Sequence, residues 1–292
     1  MAIVGFAGLG LMGSGFTKRL VQSGHDVLGY DVDKERVAAA SAWGVTAADS
    51  PAEIARRADI VCICVTTTAA VAEVTLGANG IASAGRLDGK VVIDFSTTEI
   101  PVVERIAREL PEKTGAAFLD APVSGGPGAA EAGTLAIMVG GETAAFEKAR
   151  AVLDAVGQAT LMGPTPAGQA TKLVNQALVL TNYCVAAEAF RLAQAYGVDP
   201  RLVPEALKSG YAYSSLLPVL FERFADNDFA PRGYARQVLK DLEMLQEAAR
   251  GLHLAMPMSG LATHMFRMLV GQGKSELDGA AVVTLIPEPE RH

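Results

Sequence analysis

Lys172, Asn175 and Gln176 stand at i, i+3 and i+4 in "QATKLVNQALVLTNYCVAAEAF". At helical spacing they share one face. The surrounding run is largely apolar, so these side chains need partners or a water-filled cleft. A Lys in such a place can have a lowered pKa and act as a general acid/base. The same Lys can instead snorkel to solvent beside structural amides, and the helix alone leaves both readings open. A second place is "FLDAPVSGG". Small residues at Ser124, Gly125 and Gly126 expose backbone N–H groups, and Ser124 adds a hydroxyl donor. That makes a nest for a carboxylate or an ordinary glycine turn.

The third place is "GFAGLGLMGSGF", residues 5–16. Gly8-x-Gly10-x-x-Gly13 is weak evidence by itself; its context decides it. An apolar strand precedes the triplet and a helix follows, and the second strand ends at Asp31. Gly8 permits the turn, Gly10 lets backbone approach a pyrophosphate, and Gly13 lets helix pack on strand. The helix amino terminus, with Leu11 and Met12, offers free N–H groups to the phosphates. Asp31 can accept from a ribose 2′-hydroxyl and would repel a 2′-phosphate, so NAD is expected over NADP. Lys34 and Arg36 soften that preference.

The elements that must position these residues alternate in type. "AIVGFAG", "HDVLGYD", "DIVCICV", "KVVIDFS", "AAFLDAPV" and "LAIMVGG" are strands. Helices stand between most of them, one starting at Ser50 as N-cap with Pro51 at its first position. The rhythm predicts parallel strands with crossover helices. Val65 and Thr66 follow one strand and Ser96 the next, on the carboxyl edge where such a sheet binds its ligand. From Gln169 onward only helices are read. "MGPTPAG" marks the boundary, giving a dinucleotide-binding domain over 1–163 and an all-helical substrate and oligomerisation domain over 164–292. The fold class is therefore an α/β Rossmann-type doubly wound sheet followed by an all-α domain. The long helix from Gln169 is apolar around most of its circumference. Its burial calls for a homodimer or homotetramer, unless neighbouring helices cover it alone.

Apolar residues make up 50% of the 292 and the net charge is -7. No cationic surplus exists for nucleic acid or an anionic membrane. Cys62, Cys64 and Cys184 form no disulfide framework, which points to a reducing compartment, and no metal site is expected. No signal peptide and no clean membrane span are read, so a cytoplasmic protein is expected.

Four motifs in order, "GFAGLGLMGSGF", "FLDAPVSGGPGAAEAGTLAIMVGG", "GQATKLVNQ" and "VLKDLEML", resemble the 3-hydroxyisobutyrate dehydrogenase family of β-hydroxyacid dehydrogenases. The resemblance implies a Rossmann domain, a helical domain and an active site in the cleft between them. By that resemblance Lys172 is the catalytic acid/base, and Ser124, Gly125 and Gly126 hold the substrate carboxylate. Asn175 hydrogen-bonds the substrate, Lys240 lies near the nicotinamide, and Val65, Thr66 and Ser96 line the cofactor. Read without it, Lys240 in "LKDLE" is a solvated helix charge paired with neighbouring carboxylates. The implied partner is a small hydroxy acid or semialdehyde: 3-hydroxyisobutyrate-like, glyceric or tartronic, or an aldonate. Many members have a Gly-Phe pair before the Lys240 helix, where this chain has Arg232, Gly233 and Tyr234. Arg232 either meets a second acidic group on a larger substrate or is simply exposed. The competing readings are a succinic semialdehyde or glyoxylate-type NADPH reductase, and a non-catalytic dinucleotide-binding redox sensor. Imine reductases usually replace the Lys, and Lys172 argues against them.

Overall fold

The computed structural model describes residues 2–289. The first compact unit runs to Lys172 and the second begins at Leu173. Unit one opens with β1 (Ile3–Ala7), α1 (Leu11–Gln22), β2 (Asp26–Tyr30), α2 (Lys34–Ser41), β3 (Val45–Ala47), α3 (Pro51–Arg57) and β4 (Ile60–Ile63). Next come α4 (Thr68–Leu76), β5 (Val91–Asp94), α5 (Ile100–Thr114), β6 (Ala117–Asp120), β7 (Val123–Ser124), α6 (Gly126–Ala132), β8 (Leu135–Gly140), α7 (Thr143–Val156) and β9 (Gly157–Gly163). Helix α8 (Ala167–Ala195) starts in unit one and continues into unit two, which adds α9 (Val203–Ala206), α10 (Leu216–Asp226), α11 (Ala235–Gly251) and α12 (Pro257–Gly271).

Among the described residues the sheet has the order β3-β2-β1-β4-β5-β6-β8-β7, with β9 beside β8. Strands β1 to β6 run parallel in register, and the chain crosses over at β1 to place β4 on its other side. That crossing point is where a doubly wound sheet opens for a ligand. The expected parallel arrangement stops at β6: β8 runs antiparallel to both β6 and β7. The cause is the short link. Between β7 and β8 stands only α6, seven residues long, fewer than the dozen or so that a parallel return needs.

Alternate strand residues feed two cores. Val4, Phe6, Ile60, Cys62, Val91 and Ile93 pack on one face with Phe16 and Leu20 of α1. Ala7, Val61, Ile63 and Val92 pack on the other with Ile54, Val103 and Ile106. Period-two alternation on a sheet covered on both faces explains the near-continuous apolar runs. Ser50 caps α3 as read, its hydroxyl accepting from Glu53 N at 3.1 Å, with Pro51 at the first turn. Helix α4 has a matching cap, Thr67, accepting from Ala70 N. The sequence does not announce α4, since Thr-rich segments have modest helix propensity.

Unit two is helical. Its core joins α8, α10, α11 and α12 through Phe190, Phe221, Phe224, Leu242 and Phe266. Phe190 meets Phe221 and Phe224 edge-on at 5.6 and 5.5 Å between ring centres. Beside them lies a buried ion pair, Arg223 Nη1 to Asp278 Oδ1 at 2.9 Å. Arg223 also donates to the Asp228 and Ala230 carbonyls. Asp278 accepts from Arg232 N and Gly233 N at 2.8 and 2.9 Å. Removing one partner strands a desolvated charge. Arg223→Ala is expected to cost about 3 kcal/mol of unfolding free energy, read from the midpoint and slope of urea denaturation. A loss below about 1 kcal/mol would show that the pair is not a determinant of this unit.

Candidate active site

The glycine turn is built by steric exclusion. Gly8 has φ +99, and a Cβ there would stand 2.1 Å from the Cys64 carbonyl oxygen. A Cβ at Gly13 would stand 1.9 Å from the Gly8 carbonyl oxygen. Strand β1, the turn and helix α1 therefore close together only with glycine at both places. At Gly10, where the chain enters α1, no side chain caps the helix. Its first N–H groups, from Leu11 and Met12 onward, point at whatever occupies the turn. Asp31 is buried at the end of β2. Its Oδ2 accepts from Leu9 N at 2.7 Å and its Oδ1 from Asp33 N at 2.9 Å. Arg36 Nη1 stands 3.8 Å from that Oδ2, and its Nε 3.2 Å from Asp33 Oδ2. Two carboxylates and one paired guanidinium thus border the turn. An uncapped helix start, a glycine floor and an acid at the second strand end fit a dinucleotide.

The carboxyl ends of β4 and β5 are stitched to one another. Val65 N donates to Ser96 Oγ at 3.0 Å. Ser96 is buried, while Thr66 is exposed. Helix α6 brings the second signature to the first: a Cβ at Gly15 of α1 would stand 2.9 Å from the Pro127 carbonyl oxygen and 3.0 Å from Ala130 Cβ. Ser124 closes the short strand β7, and α6 begins at Gly126 directly after Gly125. These residues therefore form a strand-to-helix turn.

Lys172 is 7% exposed, and its Nζ donates to the Val123 carbonyl at 2.7 Å. That contact removes the snorkelling alternative and brings the ammonium to the residue before Ser124. Further along the helix, Asn175 Nδ2 donates to Gln176 Oε1 at 2.8 Å, and Gln176 Nε2 donates to Asp241 Oδ2 at 2.5 Å. Lys240 pairs with Asp241 at 2.9 Å. Arg232 carries an exposed guanidinium, 3.1 Å from Asp228.

Sequence reasoning missed a buried polar set behind Lys172. Asp94 and Asp120 are register partners on β5 and β6 and are fully buried. Asp94 accepts from Ser96 N and Thr98 Oγ1 at 2.9 and 2.7 Å. Asp120 Oδ2 accepts from Gln169 N at 2.8 Å. The available signal was an acid ending two apolar runs, in "VVIDF" and "AFLDA". Burial pushes the Asp120 carboxyl up to about 6; the Gln169 N–H and the Thr165 hydroxyl hold it down in part, and the Asp94 charge adds to the rise.

The fold and the site define a dinucleotide-dependent oxidoreductase. Residues 3–163 match the NAD-binding domain of 6-phosphogluconate dehydrogenase, and 166–286 match the NAD-binding region of NADP-dependent 3-hydroxyisobutyrate dehydrogenase. The chain is 34% identical to 2-hydroxy-3-oxopropionate reductase of Escherichia coli K12, over 99% of this chain and 98% of that one. It is also 34% identical to the mitochondrial 3-hydroxyisobutyrate dehydrogenase of Mus musculus, over 98% and 88%. A 3-hydroxyisobutyrate dehydrogenase from Salmonella typhimurium has the same fold, with a TM-score of 0.87 and 30% identity over 97% of this chain and 99% of that one. The chain belongs to the 3-hydroxyisobutyrate dehydrogenase family. It is an NAD(P)-dependent oxidoreductase acting on a CH–OH group, as family members are. Among the described residues no helix is long and apolar enough to cross a membrane.

The raised Asp120 carboxyl has a definite sign for stability. Its folded-state proton is held more tightly than that of an unfolded carboxylate near 4, so its contribution is complete below about pH 4. It is lost as pH rises through about 6. Wild type should therefore lose about 2 kcal/mol relative to Asp120→Asn between pH 4 and 7, measured by urea unfolding of both proteins. A difference that stays flat across that window contradicts the assignment.

Proposed function

We propose that this enzyme moves a hydride between NAD(H) and a short acid with a primary alcohol or aldehyde β to its carboxylate. The relatives' named substrates support that choice. 3-Hydroxyisobutyrate, 2-hydroxy-3-oxopropionate and 2-(hydroxymethyl)glutarate all carry CH2OH or CHO on the carbon that bears the carboxylate. They differ in the third substituent: methyl, hydroxyl or carboxyethyl. The observation that carries the reading is the buried Lys172 ammonium, held 2.7 Å from the carbonyl that precedes Ser124.

In this reading Ser124, Gly125 and Gly126 bind the carboxylate through the Ser124 hydroxyl and backbone N–H groups, and Asn175 orients the substrate. Lys172 takes the proton of the substrate hydroxyl in oxidation and returns it to the carbonyl oxygen in reduction. A bound nicotinamide supplies the acceptor or donor of the hydride. Gly8, Gly10, Leu11, Met12 and Gly13 hold the pyrophosphate, Asp31 the adenosine ribose, and Val65, Thr66, Ser96 and Lys240 the remainder. Fixing the carboxylate turns a bimolecular encounter into an oriented one. Asp31 favours NAD over NADP, because its carboxylate would repel a 2′-phosphate, a preference softened by the Arg36 guanidinium beside Asp31 and Asp33. The chain is read as a dinucleotide-binding part over 1–163, which also supplies Ser124, Gly125 and Gly126 to the substrate, and a substrate and assembly part over 164–292, which supplies Lys172, Asn175 and Lys240, in a cytoplasmic enzyme.

Lys172→Ala should lower kcat by about 10³-fold while NADH still binds with near wild-type affinity. Near-normal turnover in this variant would refute the acid/base role. A spectrophotometric panel of 2-substituted 3-hydroxypropionates and semialdehydes, run with NAD and NADP in parallel, tests the substrate class. Tight NADH binding without turnover on any member would favour a redox sensor instead.

A homo-oligomer accounts for the outer face of α8. Val174, Leu178, Val185 and Leu192 are each at least half exposed. At 3.6 residues per turn they fall on one line along the helix, so neighbouring helices of the same chain do not cover it alone. Sedimentation velocity should give a dimer or tetramer. A monomer at micromolar concentration would overturn this assembly.

A further inference from the structure

The start of α8 sits directly on the ends of the strands. A Cβ at Gly168 would stand 2.3 Å from the Asp120 carbonyl oxygen and 2.5 Å from that of Met138. The next residue, Gln169, is 1% exposed and makes three bonds to groups outside its helix. Its backbone N–H donates to Asp120 Oδ2 at 2.8 Å. Its Oε1 accepts from Thr98 N at 3.1 Å, and its Nε2 donates to the Ser96 carbonyl at 2.8 Å. Asp94 fixes the segment that Gln169 grips, by accepting from Ser96 N and the Thr98 hydroxyl. One turn along, on the same helix face, Lys172 reaches the Val123 carbonyl, three residues after Asp120. The chain therefore holds both ends of the Lys172 geometry from one strand end: the helix that carries the side chain and the carbonyl that receives it.

We infer that Gln169 and Asp120 are positioning residues for the Lys172 ammonium, clamping the first turn of α8 so that Nζ meets the substrate oxygen at one place. The inference rests on the acid/base role given to Lys172 above. The physical ground is that the first N–H groups of a helix have no partner within it, and such ends fray. Lys is long and flexible, so a loosened backbone turn displaces Nζ further than it displaces Cα. A displacement of about 1 Å in a catalytic group can cost 10²-fold in rate. Neither Gln169 nor Asp120 needs to touch substrate for this effect.

The test measures kcat, KM, NADH affinity and thermal midpoint for Gln169→Ala, Gln169→Met, Asp120→Ala and Asp120→Asn, alone and with Lys172→Ala. Gln169→Met keeps the side-chain volume and removes both side-chain amide bonds. The alanine and methionine variants should lose about 10- to 100-fold in kcat, with NADH affinity within about threefold of wild type. Asp120→Asn, which keeps an acceptor for Gln169 N, should recover most of what Asp120→Ala loses. In the Lys172→Ala background, Gln169→Met should lower the residual rate no further, because a residue acting through Lys172 has nothing left to place. Losses that multiply in the double variant, or that merely follow NADH affinity or folded fraction, would show a general structural role and overturn the inference. Wild-type kcat in Gln169→Met and Asp120→Ala, with Lys172→Ala inactive, overturns the positioning role alone. Near-normal turnover in Lys172→Ala overturns both that role and the acid/base reading beneath it.

Discussion

The hydrogen bond from the Gln169 amide to Asp120 is the constraint on which the first unit's chemistry depends. It is buried, and it joins the end of β6 to the start of the helix that carries Lys172. A carboxylate at a helix amino terminus meets both the free N–H groups and the positive end of the helix dipole. The same carboxylate is desolvated beside a second one, which raises its proton affinity. The site thus retains a group that burial disfavours in its charged form, and the return is placement. Nearby, the Asp31 carboxylate binds the Leu9 and Asp33 amides and so ties the glycine turn to β2. Both ends of the sheet's ligand edge are set by acids that receive backbone N–H groups.

The glycine turn was legible in the sequence because its requirements are local. Positive φ at Gly8 and the close approach at Gly13 demand one residue type at fixed spacing. Ser50 and Pro51 were legible for the same reason, since a cap and a first-turn proline act within four residues. Lys172 was singled out by helical periodicity, but periodicity could not say whether its ammonium reached solvent or a carbonyl. That depended on Val123, distant in sequence and adjacent in space. The structure decided what periodicity left open, and resemblance to a family supplied only the role to be tested.

Most of what escaped had non-local causes. Asp94 and Asp120 each end an apolar strand, and a strand-ending acid reads as the edge of a loop. Only the register of β5 against β6 makes them neighbours. The reversal at β8 was hidden similarly: "LAIMVGG" reads as a buried strand in either direction, and direction is set by the short span of α6. Helix α4 was obscured by a run of threonines, one of which is its cap.

The clasp in the second unit grips mainly main chain, with the Asp228 carboxylate 3.7 Å from the Arg223 guanidinium. Arg223 holds the carbonyls of Asp228 and Ala230, and Asp278 holds the amides of Arg232 and Gly233. No side chain between residues 229 and 234 is needed by these bonds. The exposed Arg232 side chain lies outside these bonds, whereas Phe229 packs on the unit's core and Arg236 lies over the Tyr234 ring. Arg232 can change identity while these bonds keep the backbone on its course. A position held in this way is replaceable without refolding the domain that displays it, because what fixes it is main chain and not its own side chain.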